Sequence, residues 1–553
     1  MRHRLPRIVG AGMAIAATTA FVPQDPVADA LATISAFQMR AHLSFLSHDL
    51  LEGRGTGSRG GRIAATYIAS ELMRAGVQPV GPRYLHDVPI IGVTPDGEGI
   101  SFVLSAEGRR VAARYTEDVV VWPGGAETTP AVSGELVFVG YGVHAPESGW
   151  DDFDDVDLRG RILLVLVGDP PAPPDDPDRF DGPAMTYYGR WTYKFEEAER
   201  RGAVGALIIH TTDAAGYPWG VVQSSWTGEQ FMLPPAAAEP PALDLRGWVT
   251  YDFAREALAV VGLDLDELYV RAARSDFAPV PTGLRVAARV PARSRRVDTH
   301  NVIGVVPGRG PRAAEHVIYT AHYDHLGIGP AVDGDSIYNG AYDNASGIAL
   351  LLELAEAFAR LRPAPARSVV FVATGAEEAG LLGAQRYVRE PALPLGGAVA
   401  TINIDGANVW GETDDVVGLG ADRSTLGPML QRRAREMGLV METDLAPEKG
   451  LFFRSDHFAF ARAGVPALSL EHGSDFRGRP PGWGDRVLRL YDAERYHRPG
   501  DEYSAAFVLE GAVQQAKLAF LLGYDLASME GRPSWYPGSG FRAAQERLRA
   551  RRR

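Results

Sequence analysis

Residues 368–380 read SVVFVATGAEEAG, and the class of the fold turns on them. The run from Ser368 to Val372 is apolar and β-branched, which suits a buried strand. Gly375 then breaks the pattern, and two carboxylates, Glu377 and Glu378, follow at once. Like charges beside a low-dielectric strand raise each other's pKa and oppose folding, so a nearby cation would relieve the cost. Outward from this stretch the pattern stays regular. Strands are expected at 301–306, 316–321, 367–373, 398–404 and 465–470, with helices at 346–360, 380–389 and 424–437. Strands alternating with helices predict an α/β fold with a doubly wound, mostly parallel sheet. In such sheets functional side chains gather just beyond the carboxyl ends of the strands.

Four further segments place metal-capable residues there or in a late loop. Ala321-His322-Tyr323-Asp324-His325 closes an apolar strand, and His322 and Asp324, two apart, share a side if the strand continues. Tyr342-Asp343-Asn344-Ala345-Ser346-Gly347 opens a helix, where Asp343 alone reads as an N-cap. Ile402-Asn403-Ile404-Asp405-Gly406 ends another buried strand on a carboxylate. Arg495-Tyr496-His497-Arg498-Pro499-Gly500-Asp501 is a polar loop whose histidine alone reads as a surface residue. Five separate accidents are improbable; a metal centre accounts for all of them.

The chain has 553 residues, enough for two or three domains. A formal net charge of −13 argues against a nucleic-acid binder, which needs clustered Lys and Arg. Zero Cys excludes disulfides and thiolate ligands, so any metal must be held by His, Asp and Glu. Arg2, Arg4 and Arg7, the apolar run from Ile8 to Val22 and Ala28-Asp29-Ala30 read as a signal peptide over 1–30, cleaved after Ala30. The expected location is therefore secreted or periplasmic. The apolar run is too short for a membrane span and no later segment competes, so no stable membrane insertion is expected.

Before the regular region, Ala36–Leu51 and Gly60–Ala75 have helical periodicity, separated by Gly53-Arg54-Gly55-Thr56-Gly57-Ser58. Short strands are expected at Val88–Val93, Ile100–Leu104 and Asp118–Val121. From Ser133 the texture changes to strands at Glu135–Tyr141, Arg161–Val167 and Val204–Ile209 and a helix at Thr192–Arg201. This order resembles the protease-associated domain, a small β-rich module often inserted into peptidases.

His322-Tyr323-Asp324, Asp343-Asn344-Ala345-Ser346-Gly347, Glu377-Glu378 and Tyr496-His497 together resemble the secreted zinc aminopeptidases, whose relatives include glutamate carboxypeptidase, glutaminyl cyclase and transferrin receptor. The resemblance implies two zinc ions, one held by His322, Asp343 and Asp405, the other by Asp343, Glu378 and His497. It implies that Asp343 bridges, that Asp324 orients His322, that Glu377 is the general base for a metal-bound hydroxide, and that Tyr496 donates to the oxyanion. Peptides with free amino termini would be the substrates. Ser455-Asp456-His457 also resembles a family segment, with His457 read as a support. Tyr342 and the Gly406-Ala407-Asn408 stretch depart from the family pattern and could reshape the substrate pocket. The implied layout is a signal peptide at 1–30, a first peptidase segment at 31–125, the protease-associated insertion at 126–295, the catalytic segment at 296–528 and a tail at 529–553. Two alternatives stay open: a carboxypeptidase or dipeptidase, for which Arg454 and Arg498 could meet a substrate carboxylate, and a non-catalytic binding protein on the same fold.

Overall fold

A computed structural model describes residues 25–125, 131–173, 176–236 and 239–550. The proposed leader falls largely outside these residues. Its last part, Pro26–Leu31, is helical, and Ala30 is buried against the main core.

The core sheet has ten strands: β1 (Gln78–Pro79), β2 (Leu85–Pro95), β3 (Gln230–Met232), β4 (Ala292–Val306), β5 (His316–His322), β6 (Ser368–Thr374), β7 (Ala398–Asn403), β8 (Asp415–Leu419), β9 (Val440–Glu442) and β10 (Ala467–His472). Their spatial order is β3-β2-β4-β6-β5-β7-β10-β8-β9, with β1 also paired to β4. The centre, β6-β5-β7-β10, is parallel. Alternate residues of β5 and β6 serve two cores: Val317, Tyr319, Val369 and Phe371 pack on one face, Ile318, Val370 and Val372 on the other. That two-sided burial is why these strands read as unbroken apolar runs. Helices cover both faces: Gly347–Arg360 and Glu510–Ser528 join the larger core, Leu382–Arg389 and His457–Arg462 the smaller.

The expectation of a mostly parallel sheet needs correction, because both flanks are antiparallel. β8 runs against β10, and β2, β4 and β6 alternate in direction. The strand expected at 301–306 is the end of the fifteen-residue β4, which pairs with β2 from Ala292↔Pro95 to Val302↔Leu85. The chain leaves the sheet along β2 and, after a second body, returns beside it at Ala292, running antiparallel to β2.

Between these strands lies a second, eight-stranded sheet: Arg109–Ala113, Ser101–Ala106, Val280–Arg289, Ala131–Phe138, Ile162–Leu166, Gly205–His210, Leu245–Thr250 and Val119–Trp122, in spatial order. It has its own apolar clusters, one around Phe138, Leu164 and Leu207, another around Val165, Ile208 and Trp248. The expected boundary at 125 therefore moves back to residue 96, where Asp96 N donates to Pro291 O (2.8 Å) at the neck. Strands 101–122 pair with strands of this sheet and not with the core. The two bodies touch elsewhere as well. Tyr187 packs on Phe458 (4.8 Å between rings), Arg462 forks onto Glu196 (2.8 and 2.9 Å), and β3 adds to the edge of β2. Among the described residues no helix is long and apolar enough to cross a membrane.

Candidate metal centre

Every metal-capable residue singled out from the sequence converges beyond the carboxyl ends of β5, β6 and β7. His322 is the last residue of β5; Glu377 and Glu378 follow β6, and Asp405 follows β7. Asp343 lies in an irregular turn between Gly340, at φ 55°, and the helix Gly347–Arg360. It is not an N-cap, since its side chain faces histidines. His497, with φ 56°, comes from the loop after the helix Trp483–Glu494.

His322 Nε2 stands 3.0 Å from Asp405 Oδ1 and 3.2 Å from Asp343 Oδ1. His497 Nε2 stands 3.3 Å from Asp343 Oδ2 and 3.2 Å from Glu378 Oε2. Asp343 thus offers one oxygen to each imidazole. Glu377 Oε2 is farther off, 4.0 Å from His322 Nε2. Two sets of donor atoms are compact enough to hold an ion: His322, Asp343 and Glu378, and His322, Glu377 and Asp405. Neutral imidazole and carboxylate oxygen are ligands that zinc accepts, so the donor set fits two such ions.

The electrostatics show the same demand for positive charge. Burial alone would lower the pKa of His322, yet Glu377 and Asp405 overcome it and push the imidazole well above its usual value. His497 is half-buried, and is raised by Glu378 and Asp343. Burial favours a protonated Asp343, but His322 and His497 hold its carboxyl well below the usual range. Glu378 is drawn down to about 2, His497 and His325 outweighing burial. Glu377 goes the other way: burial, then Asp405 and Glu378, hold it well above the carboxylate range despite His322. Two adjacent, chemically identical side chains therefore differ in the direction of their proton affinity, Glu377 raised and Glu378 lowered.

Several supports were not evident in the sequence. His325, read only as a neighbour, is buried and pairs through Nδ1 with Glu378 Oε1 (2.6 Å). Asp501 accepts from the backbone N–H groups of Tyr342 and Asp343 (3.0 Å each) and from the Tyr491 hydroxyl (3.1 Å), fixing the Asp343 turn. Asn344 ties that turn to the Asp405 loop, accepting from Gly347 N and Gly406 N (2.9 Å each) and donating to Ile404 O (2.9 Å). Arg54 lies beneath, fully buried, its guanidinium donating to the carbonyls of Tyr323 (2.7 Å), Leu46 (2.5 Å), Asn339 (2.6 Å) and Gly340 (2.8 Å). The Gly-rich surroundings of Arg54 were its one sequence signal.

The reading of Asp324 changes in detail. His322 Nδ1 lies 3.1 Å from the backbone carbonyl of Asp324, not from its carboxylate. The carboxylate instead accepts from Thr56 Oγ1 (3.0 Å) and Glu377 N (3.1 Å), because the chain turns immediately after β5. Asp324 therefore positions the Glu377 loop. Tyr496 stacks on His497 with ring centres 3.9 Å apart and is 48% exposed. His457 is buried with neither ring nitrogen hydrogen-bonded, consistent with a support against Phe452. Arg454, considered above for a substrate carboxylate, donates to Lys449 O (2.8 Å).

Residues 301–520 match Peptidase family M28. The M28-matched stretch contains His322, Asp343, Glu377, Glu378, Asp405 and His497. The chain is 30% identical to a probable glutamate carboxypeptidase of Arthroderma benhamiae over 276 residues, 47% of this chain and 35% of that protein. It is 36% identical to Aminopeptidase YwaD of Bacillus subtilis over 91 residues, 16% of this chain and 17% of that protein. The chain thus spans about a third or less of these two relatives. Among solved structures, the aminopeptidase from Aneurinibacillus sp. strain AM-1 superposes with a TM-score of 0.50 at 19% identity, covering 92% of this chain and 98% of that one. That likeness shows a shared fold.

Proposed function

We propose that the chain is a zinc-dependent exopeptidase, an aminopeptidase that binds two zinc ions and removes residues from peptides with free amino termini. The observation that carries the reading is Asp343, which presents one carboxylate oxygen to His322 and the other to His497, with Asp405 and Glu378 completing the two sides. Zinc, when bound, supplies Lewis acidity to the scissile carbonyl and brings a water toward a pKa of ~7. With zinc held by these residues, Glu377 would take a proton from the attacking water, whose oxygen forms the new bond to the carbonyl carbon, and would return it to the amine as the C–N bond breaks. Asp324 aims Glu377 by accepting from its backbone N–H. The Tyr496 phenol, kept protonated by the nearby carboxylates Asp343, Glu378 and Glu377, donates to the oxyanion.

The test separates the two glutamates. Glu377→Gln should keep the zinc stoichiometry while kcat falls by on the order of 10²–10⁴. Glu378→Gln should lose zinc at one side, with partial recovery in excess zinc. Near-normal turnover of the Glu377 variant would refute the base; zinc loss confined to that variant would reverse the roles.

One observation favours a second reading, a carboxypeptidase or dipeptidase. Arg190, whose Nε is buried without a hydrogen-bond partner, lies close enough to Arg454 and the Tyr217 phenol to feel both. Burial, followed by Arg454, lowers its pKa to about 10. Uncompensated guanidinium charge of this kind suits a terminal carboxylate. Cleavage of amino-blocked peptides and failure on carboxyl-amidated ones would establish that reading over the first.

The second sheet, with its own apolar clusters, is proposed as the protease-associated module. Export rests on the leader pattern alone. Mass spectrometry of the mature protein should find an amino terminus at or near Leu31, and an intact Met1 in a cytoplasmic fraction would refute it.

A further inference from the structure

β7 and β10 are parallel neighbours with Thr401 opposite Ala467, Ile402 opposite Leu468 and Asn403 opposite Ser469. The last pair is joined side chain to side chain, Asn403 Nδ2 to Ser469 Oγ at 3.3 Å. Two residues further on, the same face carries Asp405 on one strand end and Glu471 on the other. The Glu471 side chain bonds only the Ser469 hydroxyl and lies within electrostatic reach of Asp405 and Asp444; no cation is among the groups that act on it. Among the described residues it forms no ion pair. The residue keeps partial solvent access. Tyr342 stands close by: its hydroxyl lies 3.1 Å from Nε2 of His472, the residue after Glu471, and Glu471 is the first of the carboxylates within electrostatic reach of its phenol. The Tyr342 ring takes the space beside Gly406, where a Cβ would stand 2.6 Å from it. A half-buried carboxylate beside Asp405 and Asp444, with no cation paired to it, costs free energy unless a cation joins it.

We propose that Glu471, assisted by Asp444, is the floor of the pocket for the first side chain of the substrate and selects a cationic residue, lysine or arginine. This rests on the aminopeptidase reading. The α-amine cannot be the partner, because it lies only about 2.5 Å from the scissile carbonyl carbon, by bond lengths alone. A carbonyl held at the His322–Asp405–Asp343 cluster therefore leaves the amine among those same carboxylates. Glu471 is a further strand spacing away, about 4.8 Å, which only an extended side chain can span. Tyr342 offers the aliphatic stem of such a side chain an apolar surface while the charged end reaches the carboxylate.

The experiment compares lysyl-, arginyl-, norleucyl- and leucyl-p-nitroanilides on the zinc-loaded full chain, alongside calorimetric binding of L-lysinol and L-norleucinol, which cannot be cleaved. Wild type should favour lysyl and arginyl over norleucyl by about 10- to 100-fold in kcat/KM, the range expected of one charged hydrogen bond. It should also bind lysinol at least ~10-fold tighter than norleucinol. Glu471→Gln should abolish both preferences with its zinc stoichiometry kept at the wild-type value; Asp444→Asn should reduce them partially. Turnover of leucyl substrate without any lysyl or arginyl preference, or equal loss on all substrates in Glu471→Gln, overturns the pocket and leaves the peptidase reading standing. A lysinol preference with no turnover of any substrate overturns the peptidase reading and supports the cation pocket.

Discussion

Replacing Arg54 by methionine keeps much of the volume of a fully buried side chain and deletes its charge and donors. Four carbonyls, of Leu46, Tyr323, Asn339 and Gly340, then lose their donor at once. At roughly 1.5–3 kcal/mol for each charge-assisted bond the gross loss is about 6–12 kcal/mol. Against it stands the cost of burying the guanidinium, whose pKa burial lowers from 12.5 to about 10. That difference corresponds to roughly 3 kcal/mol. The expected net destabilisation is therefore at least about 3 kcal/mol, the order seen when one member of a buried charged network is removed. Urea unfolding of wild type, Arg54→Met and Arg54→Lys at one zinc concentration measures it. The lysine variant keeps the charge but not the fork of donors, and should fall between the other two. An Arg54→Met protein within ~1 kcal/mol of wild type would refute the idea that this residue ties the first helical segment to the β5 and Asp343 loops.

Acid should weaken the fold through His316 and His457, each lowered to about 4, chiefly by burial. Because the unfolded chain takes up a proton from pH 6.5 downward and the folded one only near 4, stability is full above 6.5 and is lost as pH falls. About 2 kcal/mol should go per histidine by pH 5, and His316→Gln should remove its share of the slope in urea midpoints against pH. Gly60→Ala should destabilise by more than ~2 kcal/mol in the same assay, since a Cβ there would lie 1.5 Å from Leu51 O and force the helix Arg59–Arg74 off the preceding turn. Replacing residues 96–291 with Asn-Gly should leave a soluble core that still binds zinc at His322, Asp343 and His497; loss of all zinc from a folded deletion protein would show that the second body builds the site.

The parallel centre was legible because strands buried on both faces are apolar without interruption, as Ser368–Thr374 and His316–His322 are. His322, Glu377, Glu378 and Asp405 were legible because each ends such a run, whereas Asp343 and His497 were legible only in company with them. The affiliation of strands 101–122 was not, since alternation such as Phe102, Leu104 against Val103, Ser105 says that a sheet exists but not which partner it joins. Nor was Arg54, whose partners come from positions 46, 323, 339 and 340 and are assembled only by tertiary contact. Asp324 shows the finer limit. Its proximity to His322 was evident, but which atom faces the ring depended on a turn that two-residue periodicity cannot describe.

The pairing of Pro95 with Ala292 sets the two ends of the second body one strand spacing apart. For folding this fixes an order of events. In an unfolded chain, β2 and β4 can meet only by closing a loop of ~200 residues, which costs roughly 3 kcal/mol more than closing a four-residue turn. Once the eight-stranded sheet has formed, its ends emerge side by side and most of that cost has already been met by its own contacts. The edge pair, and behind it the strand that abuts β6, can then zip as a local event. Mutations that slow formation of the second sheet should therefore slow assembly of a metal centre to which it contributes none of the residues proposed as ligands. In kinetic terms, a whole domain takes the part of a hairpin turn.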